Sequence, residues 1–222
     1  MAIVGASEAP HTYGTMRMWQ ATNMLSPDGI FPFAKKRNGM VLGEGAGILV
    51  LESLQFAKAR GAKNLAELCG VGSTADSTDM VSPDSAGASE AMRLALDDAR
   101  LAPADIDYVN AHGAATIKSD RSETHAIKKV FGKHAYNLAV SSTKSMYGHP
   151  LGASGGIEAI ACIKAMKESW LPPTLGLDEA DPECDLDYIP NIGRGRRVDY
   201  AMSNSFAFTG SNSVLIFGPP PQ

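Results

Sequence analysis

Two histidines and one loop are the residues whose types and spacing point to chemistry. His112 sits in Val109-Asn110-Ala111-His112-Gly113, and His149 closes Ser141-Ser142-Thr143-Lys144-Ser145-Met146-Tyr147-Gly148-His149. The third segment is Asn204-Ser205-Phe206-Ala207-Phe208-Thr209-Gly210. Near neutral pH an imidazole can change its charge, and two of them at the ends of separate strands are worth a hypothesis. A glycine beside each ring lets a substrate come close and lets the backbone take positive φ. Lys144 and Glu158 are spaced to fix the imidazole tautomers from behind. The plainer readings stay open at this point: a histidine next to glycine as a hydrogen-bonded structural residue, and Lys144 with Glu158 as a simple ion pair.

Other chemistries fit less well. A metal set drawn from His112, Asp120, Glu123, His125 and His149 has no His-x-x-x-His or Glu-x-x-His pair to put two ligands on one helix face, so no metal is expected. Gly43-Glu44-Gly45-Ala46-Gly47 resembles a phosphate loop, but a strand follows it where a dinucleotide fingerprint needs a helix. The glycines read instead as backbone that passes close to something bulky or turns sharply. Cys69, Cys162 and Cys184 are odd in number and lack Cys-x-x-Cys spacing, which predicts reduced, mostly buried thiols.

The elements that must position these residues alternate. Strands are expected at Ala2 to Gly5, Ile48 to Leu51, Leu65 to Val71, Ile106 to Asn110, Leu138 to Ser142, Val198 to Asn204 and Ser213 to Phe217. Between them helices are expected at Thr15 to Leu25, with Met16, Trp19 and Met24 on one face, and at Ser53 to Arg60, stopped by Gly61. A polar loop over Ser73 to Asp84 precedes a helix that carries Ala88, Ala91, Met92, Ala95 and Ala99 on one face. Ser119 or Asp120 with Glu123 reads as a capping box ahead of Ala126, Ile127, Val130 and Phe131. A helix from Ile157 to Glu168 is apolar nearly all round and should be buried. Ser26-Pro27-Asp28-Gly29 is a turn, and Lys35-Lys36-Arg37 reads as a solvated basic loop. This alternation predicts a layered α/β sheet, whose ligands sit beyond the carboxyl ends of strands, where all three chemical segments fall.

Composition limits the partners. The 222 residues carry 20 Lys+Arg against 24 Asp+Glu, a formal net charge of −4, which gives no basic face for nucleic acid. No run approaches the roughly 20 apolar residues of a membrane span and no basic leader opens the chain, so the sequence reads as cytoplasmic.

The His112 segment, the His149 segment and Asn204 to Asn212, together with Asn38-Gly39-Met40-Val41-Leu42-Gly43-Glu44-Gly45-Ala46-Gly47, resemble the β-ketoacyl-acyl-carrier-protein synthases, the elongating condensing enzymes of fatty acid and polyketide synthesis. The likeness spans essentially the whole chain. It implies a thiolase-like layered fold of mixed sheets and packed helices, with residues 1–75 ending a first lobe and 76–222 forming a second. It also implies a Cys-His-His triad that condenses malonyl units with an acyl-cysteine by decarboxylation. His112 and His149 would be the two histidines, Lys144 the supporting lysine, Glu158 a supporting glutamate, and Phe206 and Phe208 the acyl gate. Thr116 would contact the pantetheine arm of an acyl carrier protein, the partner the resemblance implies. No cofactor is implied.

The nucleophilic cysteine of the family belongs before Met1, and Cys69, Cys162 and Cys184 match no nucleophile position, so a cysteine-bearing amino-terminal portion is expected as partner, in a homo- or heterodimer. Ala114 replaces the family's first pantetheine-contacting threonine, Ala207 and Thr209 replace glycines around Phe208, and Ala34 replaces an acid. Those departures leave a second reading, a non-catalytic chain-length-factor-like subunit that shapes a neighbour's acyl tunnel.

Overall fold

The computed structural model describes residues 1–76 and 83–221. Much of the polar loop expected over Ser73 to Asp84 therefore lies outside the described residues.

The chain opens with β1 (Ala2–Glu8), which crosses to α1 (Tyr13–Ala21) and returns through a long loop to β2 (Gly45–Leu51). β1 and β2 form an antiparallel ribbon in the register Ile3↔Val50 and Gly5↔Ile48. α1 begins earlier than expected because the Thr12 hydroxyl accepts from Thr15 N–H. It also ends earlier: Thr22 donates its hydroxyl to Trp19 O, and Asn23 takes φ +56°. Met24 therefore leaves the helix but still packs on the Trp19 cluster.

α2 (Leu54–Ala59), capped by Ser53, leads to β3 (Glu67–Ala75), a longer strand than expected. After it come α3 (Ser85–Ala99), β4 (Tyr108–Asn110) and α4 (Ile117–Phe131). The remaining elements are β5 (Ala139–Ser141), α5 (Lys144–Tyr147), α6 (Ser154–Glu168), β6 (Trp170–Leu171), β7 (Arg194–Gly195), β8 (Ala201–Phe206) and β9 (Ser211–Gly218).

Five strands make the central sheet in the order β3-β9-β8-β4-β5. β4 runs parallel to both β5 and β8, so these three strands end at the same edge, and β9 lies antiparallel to β8 and β3. β3 thus precedes the expected lobe boundary at residue 75 yet pairs within this sheet.

Neighbouring strand residues face opposite ways. Val109, Val140, Met202, Val214 and Ile216 pack on α3 and α4, while Tyr108, Ala139, Ala201 and Phe217 pack on α6. With both faces covered, the strands read as continuous apolar runs. The ribbon lies on the far side of α6, completing a stack of helices, sheet, helix and ribbon. Gly47 permits that last contact: a Cβ there would sit 2.2 Å from the Gly156 carbonyl carbon, so the close-approach reading of the glycine run holds.

Two expectations are corrected. α6 is buried along Glu158, Ala159, Cys162 and Ala165, but it is not enclosed all round, and Ile160 is exposed, because sheet and ribbon cover only two of its sides. Lys35 and Lys36 are surface residues paired with Glu179 and Asp178, but Arg37 is buried and is not a solvated charge. Its guanidinium donates to Asp181, Ala34 O and Ile117 O, and faces Asp120 at 3.4 Å.

Candidate functional site

Because β4 and β8 end at the same edge of the sheet, the loops that follow them meet there. His112 comes two residues after β4, and Phe206 ends β8. His149 follows α5 and is held by the loop before β2: its N–H donates to Val41 O at 2.7 Å, and Gly43 N–H donates to His149 O at 3.0 Å. The two imidazoles lie edge to face with centroids 5.3 Å apart, and the Phe206 ring is 5.8 Å from His112. Both rings line a cleft of about 840 Å³ together with Thr116, Phe206, Phe208 and Trp19.

Protonation follows from the contacts. The backbone N–H of Phe206 donates to His112 Nδ1 at 3.3 Å, so that nitrogen is an acceptor and the proton of the neutral ring sits on Nε2. His149 Nδ1 lies 3.0 Å from the Ser154 hydroxyl. Burial, then the Lys144 cation, then His149 hold the His112 imidazole well below its ordinary value. Burial and Lys144 lower His149 to about 3. Both rings are neutral N–H donors at physiological pH.

Lys144 and Glu158 are fully buried behind the cleft and do not line it. Lys144 Nζ donates to Glu158 Oε1 and, at 2.6 Å, to the backbone carbonyl of His112. The pair therefore acts from behind the cleft, on the His112 main chain through its carbonyl. Burial raises the Glu158 carboxyl to about 7 despite the ammonium beside it.

The expected capping box is also corrected. α4 starts at Ile117 with Thr116 as its N-cap, and Asp120 and Glu123 lie inside the helix with their carboxylates turned back onto the His112 loop. Glu123 accepts from His112 N–H at 2.9 Å, Gly113 N–H at 2.8 Å and Asn204 Nδ2 at 3.0 Å. Asp120 accepts from Phe33 N–H at 2.7 Å and Ala115 N–H at 3.1 Å, and burial pushes its carboxyl up to about 7. Gly113 itself is required: it takes φ +40°, and a Cβ would meet Ser142 Cβ at 2.5 Å. Sequence reasoning missed Glu123, Asp120 and Arg37 as loop-holding groups. The available signal was two acids one helical turn apart, aimed back at a loop eight residues upstream.

The three cysteines stand away from this site. None lines the cleft, and burial raises each thiol above its ordinary range. Among the described residues no cluster of three His, Cys, Asp or Glu could hold a metal ion, and no helix is long and apolar enough to cross a membrane.

Residues 65–178 match the family model described as "Beta-ketoacyl synthase, C-terminal domain", and residues 1–57 match "Beta-ketoacyl synthase, N-terminal domain". The chain is 51% identical over 215 residues to "Nodulation protein E" of Rhizobium leguminosarum bv. trifolii, covering 97% of this chain and 53% of that protein. It is 48% identical over 223 residues to "3-oxoacyl-[acyl-carrier-protein] synthase 2" of Synechocystis sp., covering 97% of this chain and 54% of the relative. It superposes with a TM-score of 0.95 and 40% identity on a solved structure described as "The ishigamide ketosynthase/chain length factor", covering 99% of this chain and 54% of that one. The chain thus spans about half the length of the relatives it matches, and it carries the layered α/β fold of the ketosynthases.

Proposed function

The chain belongs to the β-ketoacyl synthase family, and we propose that it supplies the two histidines of a decarboxylative Claisen condensation, with the acyl group held on a cysteine outside these 222 residues. The observation that carries this is the pair of imidazoles, 5.3 Å apart on one cleft and both held neutral.

In this reading a malonyl thioester carried by an acyl carrier protein enters with its carbonyl oxygen between the rings. The bond from C2 to the carboxylate breaks, CO₂ leaves, and the electron pair moves into an enolate whose negative charge collects on the thioester oxygen. The His112 Nε2–H and an N–H of His149 donate to that oxygen. The enolate carbon then attacks the acyl-cysteine carbonyl, and the thiolate departs as the new carbon–carbon bond is retained. Donors already aimed at the developing charge need no reorganisation during reaction, and one such donor is typically worth about 10² to 10³ in rate. Lys144 is a positioning residue here, holding the His112 carbonyl and disfavouring a second positive charge on either ring. Phe208 would gate the acyl group, with its N–H available to the acyl oxygen, and Thr116 would meet the pantetheine arm. The Thr116 side chain makes no helix-capping bond, which is consistent with that use. The position of all three cysteines supports an external nucleophile.

The test is reconstitution with a cysteine-bearing amino-terminal portion, assayed for extension of an acyl thioester by malonyl-carrier protein. His112→Ala and His149→Ala are each expected to lower the rate by about 10² or more. A second reading, a chain-length-factor-like subunit, is favoured by the "ketosynthase/chain length factor" relative and by Ala114, Ala207 and Thr209. Unchanged activity of both histidine variants would select it.

A further inference from the structure

At the apolar end of the cleft the Trp19 indole stacks on Phe208, with centroids 5.2 Å apart and 25° between the planes. The partners come from distant parts of the chain, α1 and the turn joining β8 to β9. Trp19 is only 8% exposed and is fixed among Met40, Leu42, Met16, Met24 and Leu151, whereas Phe208 is 40% exposed. Phe208 is the half of the pair that can leave.

Two features oppose the contact that the stack maintains. Thr209, next to Phe208, holds φ +65°, a left-handed conformation that β-branched residues avoid. The Trp19 indole N–H is buried and finds no acceptor among the described residues, so its desolvation is uncompensated. The observed arrangement combines a favourable ring stack with backbone strain beside Phe208 and an orphaned donor on Trp19. Opposed terms of this kind weaken the hold of the stack on the loop.

We propose that Trp19 is the latch of the Phe208 gate, a positioning residue that holds the ring closed over the cleft until an acyl group displaces it and uncovers the indole N–H. The proposal rests on the reading of Phe208 as a gate and adds the residue that sets its balance. It does not require Trp19 to touch the reacting atoms.

Trp170, the second tryptophan, is 51% exposed on β6, so Trp170→Phe leaves Trp19 as the only indole emitter. In that background acrylamide quenching of the full chain reports how often Phe208 leaves Trp19. Phe208→Ala is expected to raise the quenching constant severalfold. Thr209→Gly, which removes the strain of the closed state, is expected to lower it. Equal quenching with and without the Phe208 ring, or a rise in Thr209→Gly, would overturn the latch. In the assembly with a cysteine-bearing portion, cysteine acylation from octanoyl-pantetheine gives a second readout. Trp19→Leu removes the stack and should speed it, while Trp19→Phe keeps a ring and removes the orphaned donor and should slow it. Should Phe208→Ala change acylation while both Trp19 variants match the parent, the gate stands and the latch falls. Should Phe208→Ala leave acylation unchanged, the gate reading fails by itself, and the quenching result still decides whether Trp19 holds the ring.

Discussion

In the proposed condensation His112 and His149 act as neutral donors, and their surroundings hold both rings neutral. Because His149 is lowered to about 3 and His112 also lies well below 6.5, the decarboxylation rate should stay level from pH 8 to pH 6, without the acid limb an ordinary imidazole would give. A rate profile of CO₂ release checks this. Lys144 is the second cause after burial, so the paired variant Lys144→Met with Glu158→Gln, which leaves no lone buried charge, should move the acid limb toward the ordinary imidazole value without reaching it. Stability has its own pH dependence. Below pH 6.5, and down to about 3 for His149, the unfolded histidines take protons that the native rings refuse, so their contribution is lost as pH falls. Glu158, raised from 4.5 to about 7, acts the other way, because the native state holds a proton that the unfolded state releases, and stability falls as pH rises across that window. At this scale both histidines, the lysine and the glutamate were legible in the sequence, the rings because each adjoins a glycine and the other two because they flank His149 along the chain. The roles of Glu123 and Arg37 were not, because a carboxylate three residues into a helix reads as a cap and a basic triplet reads as surface until the fold brings distant backbone against them.

Among the elements, the contact of β2 with α6 sets where the His149 loop lies. Gly47→Ala would drive a methyl into the Gly156 backbone, 2.2 Å away, and should destabilise by about 1–3 kcal/mol. The same change at Gly14, in α1, meets nothing within 4 Å and should be neutral or stabilise by up to about 1 kcal/mol. Urea unfolding of the two variants separates the effects, and equal behaviour would show that close approach at Gly47 does not matter. The alternation of strand and helix gave the order of elements because apolar runs and turn residues are local signals. Their ends shifted for equally local reasons that pattern alone does not carry: Thr22 and Asn23 terminate α1, and pairing with β9 extends β3 to Ala75.

For the whole molecule, the ribbon leaves its outer face uncovered. Ile3 is 73% exposed, and Ile48 and Val50 are each 55% exposed, on the side turned away from α6. A contiguous apolar face of this kind favours association, so light scattering of the purified chain should give a mass that rises with concentration above the 23.4 kDa of one copy. A constant monomer mass would count against it. The family resemblance and the layered architecture were legible because three separated motifs fall at strand ends in one order. The distance and edge-to-face angle of the imidazoles emerged only from the structure, where β4 runs parallel to β5 and β8, a long-range arrangement.

The most direct test of the paired imidazoles is CO₂ release from malonyl-carrier protein by the reconstituted assembly with no acyl donor present, which isolates formation of the enolate from the bond-forming step. Release should be measurable in the parent and should fall by about 10² or more in His112→Ala and in His149→Ala. Release at the parental rate in either folded variant would contradict the assignment.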